Sequence, residues 1–367
     1  MTRRIIQFGT SRFLQAHVDL FVHQARFAGE AIGPITIVKT TDGQDRAGRI
    51  PALKRGLPIP VRIRGIEGGR VVDEITEIAC VDQAFDARRE WPAVVRCFAE
   101  EAEIAVSNVA ERGYDRLDGD VDDLASQDVP RSFPAKLLAL LAARFRNGGK
   151  PLLFLPTELV RGNGHRLAQI LSDLAVASRQ SESFRVWLAR SVTFADTLVD
   201  RIVSESIEPI GAVAEPYALW AIRGSDNFRP FQHPAVRMVE NLEPTERLKL
   251  HILNLGHTVL ADLWIRQGRA ADESVRAILD DHAASQQLAA IYTEEVVPGF
   301  NLQSMGHEAG DYVTTTIERF QNPFLEHRLA DIAQNHAAKL RIRVAGFLDW
   351  VRQRDPGFTA PRLSSML

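Results

Sequence analysis

A lysine, an asparagine and a histidine stand at fixed offsets in one leucine-rich stretch, KLHILNLGH (249–257): Lys249, then Asn254 five residues on, then His257 three after that. On an α-helix turning about 100° per residue, Lys249 at 0° puts His257 near 80°, Asn254 near 140° and Glu246 near 60°. These four share one arc, while Leu248, Ile252, Leu255 and Val259 gather on the other side. An apolar back and a polar front fit two descriptions. One is a solvated helix face. The other is a catalytic constellation, an amine beside two hydrogen-bonding side chains. Leu250 and Leu253 interleave with the polar residues, so the face is expected to be at least half buried, and a buried lysine is costly unless paired or neutralised. Spacing alone leaves both descriptions open.

A second set lies at the start of the chain. RIIQFGTSRF places Gly9 where a first strand ends and a helix begins, the place where a dinucleotide fold packs its turn against a pyrophosphate and the helix supplies amide donors. Of the three glycine places in G-x-G-x-x-G, this chain fills the first with Gly9 and the others with Ser11 and Leu14. Ser11 is small enough for close approach and offers a hydroxyl, and Arg12 adds a cation. The second strand ends VKTTDG, with Lys39 where an acidic residue would hold the ribose and Asp42 a little further on. That end does not settle NAD against NADP.

The elements that position these residues are legible in part. Short runs rich in Ile, Val and Phe, namely RIIQFG (4–9), PITIVK (34–39), EIAVSN (103–108), PLLFLP (151–156) and SVTFAD (191–196), predict strands buried on both faces of a parallel sheet. FLQAHVDLFVHQARFAG (13–29) predicts the helix between the first two. PVRIRGIEGGRVVDEITEIACVD (60–82) alternates around Gly68-Gly69 and predicts an antiparallel hairpin inserted at the sheet edge. Beyond about residue 197 the periodicity becomes helical. The expected organisation is an α/β domain over 1–196 and a mostly α-helical domain over 197–367.

The length of 367 residues suits two domains, and a formal charge of −3 gives no reason to expect nucleic acid or an acidic membrane surface as partner. The apolar run in MTRRIIQFGT is too short for a signal peptide core, and no stretch approaches the roughly 20 apolar residues of a membrane span. Cys80 and Cys97 form neither a metal spacing nor a disulfide framework. These features predict a soluble cytoplasmic protein.

The spacing of Lys249, Asn254 and His257 resembles the signature of the polyol-specific long-chain dehydrogenases, the mannitol dehydrogenase family. Other blocks follow the same family in order: RIIQFGTSRFLQAHVDL, VSNVAERGY (106–114), SFPAKL (132–137), PTELVRGNG (156–164), TLVDRIV (197–203) and RFQNPFLEHRL (319–329). Several are closest to its tagaturonate reductase, or altronate oxidoreductase, branch.

The resemblance implies a Rossmann-like N-terminal domain, a helical C-terminal domain and metal-independent hydride transfer with NAD. The substrate it implies is a sugar acid or polyol, acted on by a monomer or small homo-oligomer. It assigns Lys249 as general acid/base, with its pKa lowered by an apolar site, and Asn254 and His257 as donors to the substrate oxygen. Glu246, one turn before the lysine, fits a solvated residue of the helix start, or one that orients the lysine or relays its proton. Gly9, Ser11, Arg12, Phe13, Lys39, Ser107 and Asn108 are expected at the cofactor. Glu158, Asn163, Arg319, Asn322 and His327 are expected at the substrate, with Arg319 reading a carboxylate and Arg161 and Lys339 as other cations for that role. His165 and His251 are expected to be structural. Some polyol-oxidising members carry an asparagine where this chain has Leu159.

Overall fold

In the computed structural model, residues 2–41, 48–109, 111–126 and 128–367 are described. In chain order the strands are β1 (Arg3–Phe8), β2 (Ile32–Lys39), β3 (Ile59–Glu67), β4 (Arg70–Ile78), β5 (Val81–Asp86), β6 (Ile104–Ser107), β7 (Leu152–Pro156), β8 (Val192–Phe194), β9 (Thr197–Asp200), β10 (Val203–Ser206), β11 (Ala212–Ala214), β12 (Leu219–Arg223) and β13 (Val236–Val239). All five predicted runs are strands of one sheet, ordered β5-β2-β1-β6-β7-β8 and parallel throughout. That is the doubly wound dinucleotide-binding order.

Successive side chains point to opposite faces of a strand, and this sorts the sheet into two cores. Ile5, Ile37, Val106 and Leu155 join one cluster; Ile6, Phe8, Val38, Ala105 and Phe154 join the other. Strand order reverses between β1 and β6, whose ends pair as Phe8 with Ser107. Gly9 and Asn108 therefore lie side by side where ligands of such sheets bind.

Two expectations need correction. The hairpin forms, turning through Gly68 and Gly69 at φ +57° and +74°, the left-handed pair that suits a two-residue hairpin turn. But its strands belong to a separate four-stranded sheet, β10-β11-β3-β4, and the edge of the main sheet is β5. Nor does a helical domain begin at 197. Five strands of three to five residues occupy 197–239, too short to show a period of two in sequence. The chain divides into two compact units: Met1–Ile63 with Glu74–Ala214 and Ala218–Leu242, and Arg64–Asp73 with Glu215–Tyr217 and Glu243–Leu367.

The second unit is built on helices around one core of Ile252, Leu255, Val259, Tyr292, Phe300 and Phe347, among others. Its central helix runs from Glu243 to Gln267 and stops at Gly268, whose φ of +59° is the left-handed cap glycine favours. Within it, Lys249–Asn254 is π-helical, with i→i+5 bonding. Tyr292–Val296 and Leu340–Ala345 are π-helical too, as is Gln15–Asp19 in the first unit.

Buried titratable groups set an expected pH optimum of stability. Burial pushes His17 down to about 3 and His251 and His233 down to about 4, so each stays neutral when folded. Their contribution is present above the ordinary 6.5 and is lost as pH falls towards 4. Asp19, fully buried, is pushed up from 3.8 to about 8 against the opposing Gln7 amide. Its folded form holds a proton that the unfolded chain has lost, so stability falls as pH rises towards 8. Urea unfolding should therefore give the highest midpoint near pH 6.5, and Asp19→Asn should remove the fall between 6.5 and 8. Equal midpoints for the wild type at those two values would refute this assignment.

Candidate active site

The first unit supplies a braced turn. Gly9 adopts φ +127°, and a Cβ there would sit 3.0 Å from the Asn108 carbonyl oxygen and 3.1 Å from Leu14 Cδ1. The Ser11 hydroxyl accepts the Leu14 N–H (3.2 Å) and donates to Asn108 Oδ1 (2.9 Å). Asn108 Nδ2 donates to the Thr157 carbonyl (3.3 Å) and hydroxyl (3.2 Å), and that hydroxyl donates to the Ser107 carbonyl (2.7 Å). The ends of β1, β6 and β7 are thus stitched together. Arg12 is exposed, and Phe13 stacks on His17 at 4.8 Å between centroids. Lys39 Nζ lies 3.8 Å from Asp86 Oδ2. Asp42 lies outside the described residues.

Two residues expected at the substrate have other work in this unit. Asn163 is fully buried; its Nδ2 donates to the carbonyls of Pro156, Glu158 and Thr197, and its Oδ1 accepts the N–H groups of Gly164 and Thr197. It ties the loop after β7 to β9 and spends its amide on backbone. Glu158 is also buried, accepting the Val109 N–H (2.8 Å) and the Tyr114 hydroxyl (2.9 Å). Burial raises its carboxyl pKa, and these hydrogen bonds oppose the rise. Leu159, 72% exposed, and Arg161 face outward in the same loop.

In the second unit Lys249, Asn254 and His257 share the central helix as expected, but the π turn changes their relation. A wider turn advances each residue by less than the 100° of an α-helix. Five residues therefore carry Asn254 less far round from Lys249 than the α-helical wheel places it. Lys249 and Asn254 are half-buried at the two ends of the π segment, and His257 is buried. The His257 ring lies 4.7 Å from that of His327 and 4.5 Å from that of Phe320. Desolvation lowers the His327 pKa, favouring a neutral imidazole.

Arg319 departs from its expected role. Its Nε and Nη2 donate to the two Glu215 oxygens at 2.9 and 2.8 Å, its Nη1 reaches the Tyr312 hydroxyl at 3.4 Å, and its guanidinium lies 4.4 Å over the Tyr217 ring. Both partners of the ion pair are almost wholly buried. The bidentate carboxylate expected from a substrate is supplied by the chain itself. Asn322 likewise serves backbone, donating to the Arg64 carbonyl (3.3 Å) and accepting the Phe324 N–H (3.0 Å). Lys339 is half-buried and donates to the Ile332 carbonyl (2.6 Å). Sequence reading missed Glu215, Tyr292 and Arg343. The one local sign was Gly256, a glycine inside a helix, which commonly marks a close contact.

The chain matches the family model of the mannitol dehydrogenase Rossmann domain over residues 3–231 and that of the mannitol dehydrogenase C-terminal domain over residues 241–361. The altronate oxidoreductase of Halalkalibacterium halodurans is 30% identical over an alignment 378 positions long, gaps included, which covers 96% of this chain and 72% of the relative. That of Yersinia pestis is 30% identical over an alignment 392 positions long, covering 99% of this chain and 78% of the relative. Among solved structures, a substrate-free D-sorbitol dehydrogenase superposes with a TM-score of 0.80 at 20% identity, covering 96% of this chain and 77% of the other. The ternary complex of Pseudomonas fluorescens mannitol 2-dehydrogenase with NAD and D-mannitol gives 0.75 at 19% identity, covering 100% and 78%. These two likenesses show a shared fold. The chain belongs to the mannitol dehydrogenase family and is an oxidoreductase acting on CH–OH groups.

Proposed function

We propose that the enzyme uses NAD to interconvert a secondary alcohol and a ketone on a sugar acid, of the tagaturonate/altronate or fructuronate/mannonate type. The observation that supports this most is one helix carrying Lys249, Asn254 and His257, with the His327 ring beside His257. The altronate oxidoreductase relatives support the substrate class. In the oxidising direction the Lys249 amine takes the hydroxyl proton, and in the reducing direction its ammonium form returns one. The Asn254 amide and His257 donate hydrogen bonds to the oxygen as it gains negative charge. When bound, the nicotinamide supplies the two-electron acceptor or donor for the carbon.

The turn at Gly9 fits a dinucleotide, because it leaves a cradle that a Cβ would fill and opens into a helix capped by Ser11. Gly9, Ser11, Arg12 and Phe13 would hold the cofactor with Ser107 and Asn108. Lys39 shares its charge with Asp86, which favours NAD over a cofactor bearing an extra phosphate. With Arg319 committed to Glu215, we assign the substrate carboxylate to Lys339, a half-buried cation of the same unit.

The test follows NADH and NADPH absorbance against ketohexuronates, ketoses, aldonates and polyols. Turnover of a hexuronate or aldonate with NAD(H) is expected; turnover confined to neutral polyols would replace the acid by a polyol. Gly9→Val should raise the Kd for NADH by about tenfold or more, since forcing bulk into a tight site typically costs roughly 1–3 kcal/mol. Calorimetric titration checks this, and indifference to both NADH and NADPH in the wild type would overturn the cofactor assignment.

A further inference from the structure

The trio on the central helix spans a π turn, and π turns are rare. Here the Leu255 N–H reaches back five residues to the Leu250 carbonyl. Such a turn persists where its surroundings over-determine it, and the surroundings can be named. The Tyr292 hydroxyl donates to the Ile252 carbonyl at 2.9 Å. Arg343 Nη1 donates to the Asn254 carbonyl and to the Thr258 hydroxyl, both at 3.0 Å. His251 Nδ1 donates to the Arg343 carbonyl at 3.1 Å, as a neutral imidazole. Each clamp comes from another π segment, Tyr292–Val296 or Leu340–Ala345.

Gly256 completes the arrangement. A Cβ at this position would sit 1.9 Å from the Tyr292 hydroxyl oxygen, so only glycine admits the tyrosine to the helix backbone. Tyr292 is itself fully buried, and burial raises its hydroxyl pKa, which keeps it a donor. The bonds from Tyr292 and Arg343 fall on carbonyls inside or at the end of the turn that Lys249 opens and Asn254 closes.

We infer that Tyr292 and Arg343 are positioning residues that hold the wide turn and thereby set the Lys249 amine against the Asn254 amide and His257. Neither touches the substrate in this account; both act through the backbone of the helix. The inference rests on the proposed role of Lys249 and adds to it a mechanism for the lysine's placement. Catalytic groups held even about 1 Å out of place lose on the order of 100-fold in rate, so loss of one clamp is expected to show in kcat.

The experiment compares wild type, Tyr292→Phe, Arg343→Met, Arg343→Lys and Lys249→Ala. Tyr292→Phe keeps the ring and deletes one hydroxyl. It should lower kcat by about 10-fold or more, leave the KM for the sugar substrate and the Kd for NADH within about twofold, and shift the pH profile of kcat. In the free protein, labelling of Lys249 by acetic anhydride, read by peptide mass against pH, should shift its midpoint in the same variant. Arg343→Met should behave likewise, and Arg343→Lys should recover part of the rate. If both Tyr292→Phe and Arg343→Met keep wild-type kcat, pH profile and labelling midpoint while Lys249→Ala is inactive, the two residues are structural and the inference fails alone. If Lys249→Ala keeps its turnover, the reading of the lysine fails first and the inference with it. Should Arg343→Met not fold, Tyr292→Phe decides.

Discussion

Lys249→Ala is expected to cut kcat by about 100-fold or more while NADH binding stays near that of the wild type. The substitution removes the proposed proton carrier and leaves the Gly9 turn, in the first unit, untouched. The neutral amine is the base for alcohol oxidation and the ammonium is the acid for carbonyl reduction. Oxidation by the wild type should therefore rise with pH and reduction should fall over a similar range, and both dependences should flatten in the variant. Small primary amines added to the variant should return part of the rate. Asn254→Ala and His257→Ala should each cost less, because one donor to the substrate oxygen remains. The measurement is kcat against pH in both directions. A Lys249→Ala variant with near-normal turnover and an unchanged profile would make the lysine structural.

Arg319→Met should destabilise the protein by about 3–5 kcal/mol and lower Tm by roughly 5 °C, because it leaves the buried Glu215 carboxylate without its arginine. The arginine also covers the Tyr217 ring, so packing is lost with the charge. Removing the carboxylate too, in Arg319→Met/Glu215→Leu, should recover much of that stability, since replacing a whole buried pair by apolar side chains is often near neutral. Differential scanning calorimetry of the two single variants and the double variant measures the coupling. A substrate-reading arginine would behave differently. Its loss would raise KM for a hexuronate by about 10- to 150-fold with little change in Tm. That selective rise is expected from Lys339→Met instead, and finding it in Arg319→Met would reverse the assignment.

Several features of this protein were decided by its sequence alone. The five predicted strands were legible as short apolar runs, most plainly β6 and β7, which are buried on both faces; β8, at the sheet edge, exposes Thr193 and still keeps Val192 and Phe194. The Gly9 turn was legible because a positive φ needs glycine and sits at a strand end. The placement of Lys249, Asn254 and His257 on one helix was legible because residues of one helix keep a fixed spacing in sequence. Strand β5 was not, since an edge strand can carry the polar residues of VDQAFD. The strands from β9 to β13 were not, since three to five residues are too few to display a period.

Only the tertiary structure decided what the buried polar side chains do. Arg319, Asn163 and Asn322 have the right chemistry to bind a sugar acid, and sequence offers no means of telling a ligand from a backbone carbonyl or a distant carboxylate. Arg319 meets a glutamate 104 residues away, and Asn163 meets the backbone of Thr197. Burial obliges each polar group to find a partner, and the fold supplies partners that no local pattern announces. The same holds for the turn between Lys249 and Asn254. Its width is set by a tyrosine 40 residues on and an arginine 89 residues on. The local stretch specifies a helix and the residues on it. The angle between them is set by side chains that only folding brings to its backbone.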